Sequence, residues 1–123
     1  MNRIKVIIAA DHWDFRKVIH ASLDRIPNVS VVGEAIDGED VVNQVEQLFP
    51  DFVLMDISMS MINGFEATRI IKQRWPDIKV LIATTYDDPA YRLQAIEAKA
   101  DGYILKGSLK PSLEATFGPQ RKV

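Results

Sequence analysis

Five short, almost wholly apolar segments alternate along this chain with amphipathic stretches of helical period, and that alternation constrains the fold more than any other feature. The apolar segments are Ile4-Lys5-Val6-Ile7-Ile8-Ala9-Ala10, Val29-Ser30-Val31-Val32, Phe52-Val53-Leu54-Met55, Lys79-Val80-Leu81-Ile82-Ala83 and the shorter Gly102-Tyr103-Ile104-Leu105. Continuous runs of this length, rich in β-branched residues, are what strands buried on both faces of a parallel sheet require. Between them the period is helical. Phe15, Val18, Ile19, Ser22, Leu23 and Ile26 make one stripe, closed by Pro27. Val41, Val42, Val45, Leu48 and Phe49 make a second, closed by Pro50, and Phe65, Thr68, Ile71 and Trp75 a third, closed by Pro76. A fourth, Leu93, Ile96 and Ala100, ends before Gly102. Proline disfavours helix in the residue before it, so these placements are physical stop signals. After Lys110-Pro111 a weak fifth stripe, Leu113 and Phe117, is cut off by Gly118-Pro119.

Strand–helix units in succession imply right-handed crossovers and helices on both faces of one sheet. Five strands predict an open, doubly wound α/β sheet, since a closed β/α barrel needs eight. The length of 123 residues is that of a single domain. We expect the domain to cover residues 1–118, with 119–123 a short tail. A hydrophobic fraction of 47% and a charged fraction of 26% exclude a mainly disordered chain. No apolar run approaches the ~20 residues of a membrane span, and the stretch from Val6 to Ala10 is too short for a signal peptide. The absence of cysteine excludes disulfides and thiolate metal sites, and with two histidines it argues against zinc. A cytoplasmic protein is the expectation. Fifteen basic against 17 acidic residues leave no footprint for unaided binding to nucleic acid, and Arg121-Lys122 is too short a patch to change that.

Ligands of open parallel sheets bind beyond the carboxyl ends of the strands, where strand order reverses. The polar residues at those ends are Asp11 and His12, Asp56, Thr84 and Thr85, and Lys106. Two carboxylates, a hydroxyl and an ammonium converging on one sheet edge would suit a hard divalent cation and a phosphoryl group. Each has a plainer alternative: Asp11 as a helix cap, Lys106 as a simple counter-ion, Thr84 as a common strand residue, Tyr103 as a packing aromatic. Asp56, after a buried apolar strand, is the hardest to explain that way, because an unpaired buried carboxylate is costly. His12, Trp13, His20 and Trp75 read as packing or surface residues, and Phe15, Phe65 and the methionines as packing.

The stretches Ala9-Ala10-Asp11-His12, Leu54-Met55-Asp56-Ile57-Ser58-Met59, Asn63-Gly64, Ala83-Thr84-Thr85-Tyr86-Asp87-Asp88 and Gly102-Tyr103-Ile104-Leu105-Lys106 occur in order, each at or near a strand end. Together they resemble the response regulator receiver domain of bacterial two-component signalling, over about residues 4–110. Ala-Asp-His, Thr-Thr-Tyr-Asp-Asp and Gly-Tyr-Ile-Leu-Lys-Gly resemble the receivers of LuxR-type transcription regulators in particular. The resemblance implies a flavodoxin-like fold with strand order 2-1-3-4-5. It also implies a phosphoacceptor switch: Asp56 receives phosphoryl from a sensor histidine kinase, and Mg²⁺ is held by Asp11, Asp56 and the backbone carbonyl of Ser58. Lys106 would pair with the phosphoryl group, the Thr84 hydroxyl would bind it, and Tyr103 would be the switch aromatic. Implied too are a homodimer on activation and contact with DNA only through a helix-turn-helix output domain that is absent from this chain. The reading is of a signalling module, not an enzyme, and not a membrane protein.

Three positions depart from the family pattern. Ala10 stands where a second acid is usual, which implies weaker metal binding. Ser60 stands where proline often shapes the loop, and Gly107 follows Lys106 in place of an acid or proline. Ala10 is the main support for an alternative, a pseudo-receiver that signals by protein contacts without phosphorylation. A flavodoxin-like or phosphatase-like enzyme is disfavoured. No glycine-rich phosphate loop is present, and Ala10-Asp11-His12-Trp13-Asp14 has no glycine or serine to cradle a flavin phosphate.

Overall fold

In the computed structural model, which describes residues 3–59 and 61–118, five strands and five helices alternate. They are β1 (Ile4–Ala9), α1 (Trp13–Asp24), β2 (Val29–Ala35), α2 (Gly38–Leu48), β3 (Phe52–Asp56), α3 (Gly64–Arg74), β4 (Lys79–Thr84), α4 (Pro89–Glu97), β5 (Gly102–Leu105) and α5 (Leu109–Phe117). A short 3₁₀ turn, Lys106–Ser108, joins the last two. All strand pairs are parallel, and the order is β2-β1-β3-β4-β5.

The sheet separates two cores by the period-2 alternation of its strands. Ile7 and Ala9, Val53 and Met55, and Val80 and Ile82 face one side, where Val41 and Val45 of α2, Phe65 and Ile71 of α3 and Ala95 of α4 cover them. Val6, Ile8, Leu54, Leu81 and Ile104 face the other, under Ile19 and Leu23 of α1 and Leu113 and Phe117 of α5. Burial on both faces explains why the strands read as unbroken apolar runs.

Chain breaks fall where local chemistry puts them. Asp37, Asn63 and Asp88 cap α2, α3 and α4 by accepting backbone N–H groups of Asp40, Glu66 and Ala90. Helices α1, α2 and α3 each stop just ahead of the proline that the pattern singled out.

Three expectations need correcting. β2 runs on past Val32 to Ala35, with Val32 as an extra residue in the ladder: Val6 pairs with Val31, whereas Ile7 pairs with Gly33. The α4 stripe is on the wrong face, since Leu93 and Ile96 are 56% and 70% exposed while Ala95 and Ala98 are buried. Small alanines against the sheet left little hydrophobic signal to read. Val18 in α1 and Leu48 and Phe49 at the end of α2 are exposed as well. The weak fifth stripe, by contrast, is a real helix with Leu109, Leu113 and Phe117 buried. Pro111 fits because the N–H groups of a first turn have no helical partner. Ser60, Pro119 and the Arg121-Lys122 pair lie outside the described residues.

Candidate functional site

Register assembles the site. Ala9 pairs with Met55, so the chain leaving β1 at Ala10 and Asp11 runs beside Asp56 at the end of β3. Asp56 pairs with Ala83, which places Thr84 one step further along β4. Thr84 pairs with Leu105, and Lys106 follows at once. The β1–β3 neighbourhood is where strand order reverses, so all these residues collect at the switch point of the sheet.

Asp56 is buried, with 1% of its surface exposed. Its Oδ2 accepts a hydrogen bond from Lys106 Nζ at 3.1 Å, and its Oδ1 accepts one from the backbone N–H of Ser58 at 3.1 Å. Lys106 Nζ also stands 4.0 Å from the centre of the Phe15 ring, so Phe15 walls the site as well as packing beneath it. The close seat of α3 on the end of β3 requires Gly64. A Cβ there would collide with the Asp56 carbonyl oxygen and stand 2.6 Å from Ile57 Cα.

Asp11 does not cap α1, because His12 occupies the cap position. One ligand atom each from Asp11, His12 and Asp56 lie within 4.8 Å of one another, and His12 Nδ1 is 2.8 Å from Asp11 Oδ1. Two carboxylate oxygens and an imidazole nitrogen so close are a donor set that fits one divalent cation after a small side-chain adjustment, at metal–ligand distances of about 2.1 Å. His12 thus stands beside both acids, and with its side chain 74% exposed it is the surface residue its sequence reading allowed. The signal for its place there was its position directly after the strand-end acid.

Thr84 and Tyr103 meet through a third residue. The Thr84 hydroxyl, in a buried residue, accepts the N–H of Tyr86 at 3.1 Å, and the Tyr103 hydroxyl donates to the Tyr86 carbonyl at 2.9 Å. The Arg92 guanidinium lies 4.6 Å from the centre of the Tyr103 ring and pairs with Asp87 at 2.8 Å. Burial pushes the Tyr103 phenol above its ordinary value, opposed by Arg92 and reinforced by Asp87, Asp88 and Tyr91.

A second polar network braces the β1 end of the site. Buried Arg16 donates from Nη1 to the Ala10 carbonyl at 2.7 Å and from Nε to Glu34 Oε1 at 3.2 Å. Glu34 Oε2 is 2.9 Å from His20 Nδ1. The hydrogen bond from His20, with further help from its charge and from Arg16, lowers the Glu34 carboxyl below its ordinary value against the opposing effect of burial. Sequence reasoning gave no role to Arg16 or Glu34 and read His20 as packing or surface. An arginine on the buried side of an apolar stripe was the available sign, because such a charge needs partners.

Fold and site together define a class: a doubly wound α/β domain with a lysine-paired buried aspartate and a second acid at its switch point. The family model of the response regulator receiver domain matches residues 6–117. The chain belongs to that family, whose members are signal-transduction modules. It is 43% identical over 105 residues to transcriptional regulatory protein DegU of Brevibacillus brevis, covering 85% of this chain and 44% of the relative. It is 36% identical to response regulator GacA of Pseudomonas aeruginosa, covering 98% and 58%. The chain therefore spans about half the length of these curated relatives. Among solved structures it resembles the response regulator domain of Thermotoga maritima CheB, with a TM-score of 0.87, 28% identity and 94% of each chain covered. It also resembles a LuxR-family two-component response regulator from Aurantimonas, with a TM-score of 0.85, 31% identity and 94% and 86% covered. No helix among the described residues is long and apolar enough to cross a membrane.

Proposed function

We propose that this domain is a phosphorylation switch in which Asp56 is the acceptor. The observation that carries the reading is the Asp56 carboxylate, buried, paired with Lys106 and within 4.8 Å of Asp11 at the sheet's switch point. Its partner is a sensor histidine kinase. An Asp56 carboxylate oxygen attacks the phosphorus of a phosphohistidine, the P–O bond forms, the P–N bond breaks, and the imidazole leaves with the electron pair. Asp11, Asp56 and the Ser58 carbonyl would hold Mg²⁺, which when bound supplies charge neutralisation for the phosphoryl oxygens. Lys106, already at hydrogen-bond distance from Asp56, is placed to transfer its charge-assisted contact to the phosphoryl group.

The readout follows from the bonds to Tyr86. When the Thr84 hydroxyl turns to the phosphoryl group it gives up the Tyr86 N–H, and the peptide that also receives the Tyr103 hydroxyl moves with it. The Tyr103 ring is then free to turn inward, biasing a two-state equilibrium. We assign the domain to a cytoplasmic transcription regulator of the LuxR type, with the output through a DNA-binding part outside this chain and a homodimer on activation. Supporting this are the strand-end wording of the sequence, the DegU relative named as a transcriptional regulator, and the LuxR-family structural neighbour.

A second reading, a pseudo-receiver acting through contacts alone, rests on Ala10. That residue is buried and supplies no carboxylate. Intact mass after incubation with Mg²⁺ and acetyl phosphate separates the two readings. The switch requires a gain of one phosphoryl group in the native chain and none in Asp56→Asn. A folded native chain that gains nothing favours the pseudo-receiver.

A further inference from the structure

The metal site has an uncommon donor set for a hard cation. Ala10 is fully buried and offers only a methyl group, so the end of β1 supplies a single carboxylate, Asp11. Directly after it, His12 Nδ1 stands 2.8 Å from Asp11 Oδ1, and one ring nitrogen of His12 lies within 4.8 Å of an Asp56 oxygen. That contact with Asp11 is the polar contact the ring makes among the described residues, and a cation shared with Asp11 would take its place. His12 occupies the cap position of α1 but makes no side-chain capping hydrogen bond. Its side chain is 74% exposed, so turning Nδ1 toward a cation costs little desolvation and leaves Nε2 open to water. Mg²⁺ selects oxygen ligands, whereas imidazole suits transition ions.

We propose that His12 is a nitrogen ligand of this centre, compensating for the carboxylate that Ala10 does not provide, and that it shifts the site's preference from Mg²⁺ toward a borderline divalent transition ion. This rests on the reading of Asp11 and Asp56 as a metal site. The cation present in the cell then sets how readily the domain is charged, and Mn²⁺ serves as its probe.

The experiment uses the full chain and pulsed electron paramagnetic resonance of bound Mn²⁺, which detects a directly coordinated imidazole through ¹⁴N modulation of the spin echo. The expected result is ¹⁴N modulation in the native chain and in His20→Gln, and its loss in His12→Gln. Titration should show His12→Gln binding Mn²⁺ about tenfold more weakly, with Mg²⁺ affinity changed less than about twofold. Native Mn²⁺ binding that is abolished by Asp56→Asn but shows no ¹⁴N modulation, or modulation that survives His12→Gln, overturns the role of His12 and leaves the metal site standing. Failure to bind Mn²⁺, or binding indifferent to Asp56→Asn, overturns the metal reading and this inference with it.

Discussion

Replacing Lys106 with methionine removes the one cation in contact with the Asp56 carboxylate among the described residues. At 3.1 Å the pair attracts with about 5 kcal/mol at an effective dielectric of about 20, before desolvation is counted. Lys106 is 21% exposed and Asp56 1%, so removing the lysine strands the better-buried partner. What remains, among the described residues, is a carboxylate held by the Ser58 N–H alone, with the Asp11 carboxylate close by. Breaking a buried pair from one side costs about 3–5 kcal/mol. Partial access of water to Lys106 lowers the expectation here to about 2–4 kcal/mol. For a chain of this length that is a fall in Tm of about 8–16 °C. Asp56→Asn leaves the partly exposed lysine free to turn to water and should change stability by no more than about 1 kcal/mol. The double variant, lacking both charges, should recover most of the loss, giving a coupling energy of about 2 kcal/mol. Urea unfolding of the four proteins in EDTA, followed by tryptophan fluorescence, measures the cycle. A coupling under about 0.5 kcal/mol would refute the claim that Lys106 holds Asp56 as a buried anion.

Thr84→Ala should still accept phosphoryl on Asp56 but fail to relay it, because the bond to the Tyr86 N–H that the switch exchanges is gone. Hydrogen exchange over residues 84–106 with and without a phosphoryl mimic checks this, and equal changes in native and variant proteins would exclude Thr84 as the coupling residue. Ala10→Asp should tighten Mg²⁺ by adding an oxygen ligand, and should lower Tm in EDTA, because a third carboxylate then crowds Asp11 and Asp56 in a buried position. Glu34 has a folded-state value held below its ordinary 4.5, so its contribution is fully present above pH 4.5 and is lost as pH falls through the lowered value. Glu34→Gln should therefore be less stable than the native protein at pH 6–7, with the gap closing below pH 4.5 in thermal melts. A gap that widens in acid contradicts that sign.

Much of this arrangement is legible in the sequence because burial on both faces writes β1, β3 and β4 as apolar runs, and parallel topology sends every strand end to the same edge. Asp11, Asp56, Thr84 and Lys106 were therefore candidates from position alone. What escaped the pattern had short-range or compensating causes. The α4 helix buries alanines and exposes Leu93 and Ile96, so its hydrophobic stripe points away from the core. β2 continues past one extra residue, Val32, that periodicity cannot mark. Arg16, His20 and Glu34 form a network only once α1 packs beside β2: the place of Arg16 on the buried side of its stripe calls for a partner but does not say which. The place of His12 beside both acids depends on the turn from β1 into α1.

The central claim is that the Asp56 carboxylate forms an acyl phosphate, and trapping that bond tests it most directly. The protein is incubated with Mg²⁺ and acetyl phosphate, and separately with Mn²⁺, then quenched with borohydride, which reduces an aspartyl phosphate to homoserine. Peptide mapping by mass spectrometry then locates the converted residue. The expected result is homoserine at position 56 alone, dependent on the phosphodonor and lost in Asp56→Asn. Conversion at Asp11 or another carboxylate, or none at all in folded protein under either metal, would contradict the account.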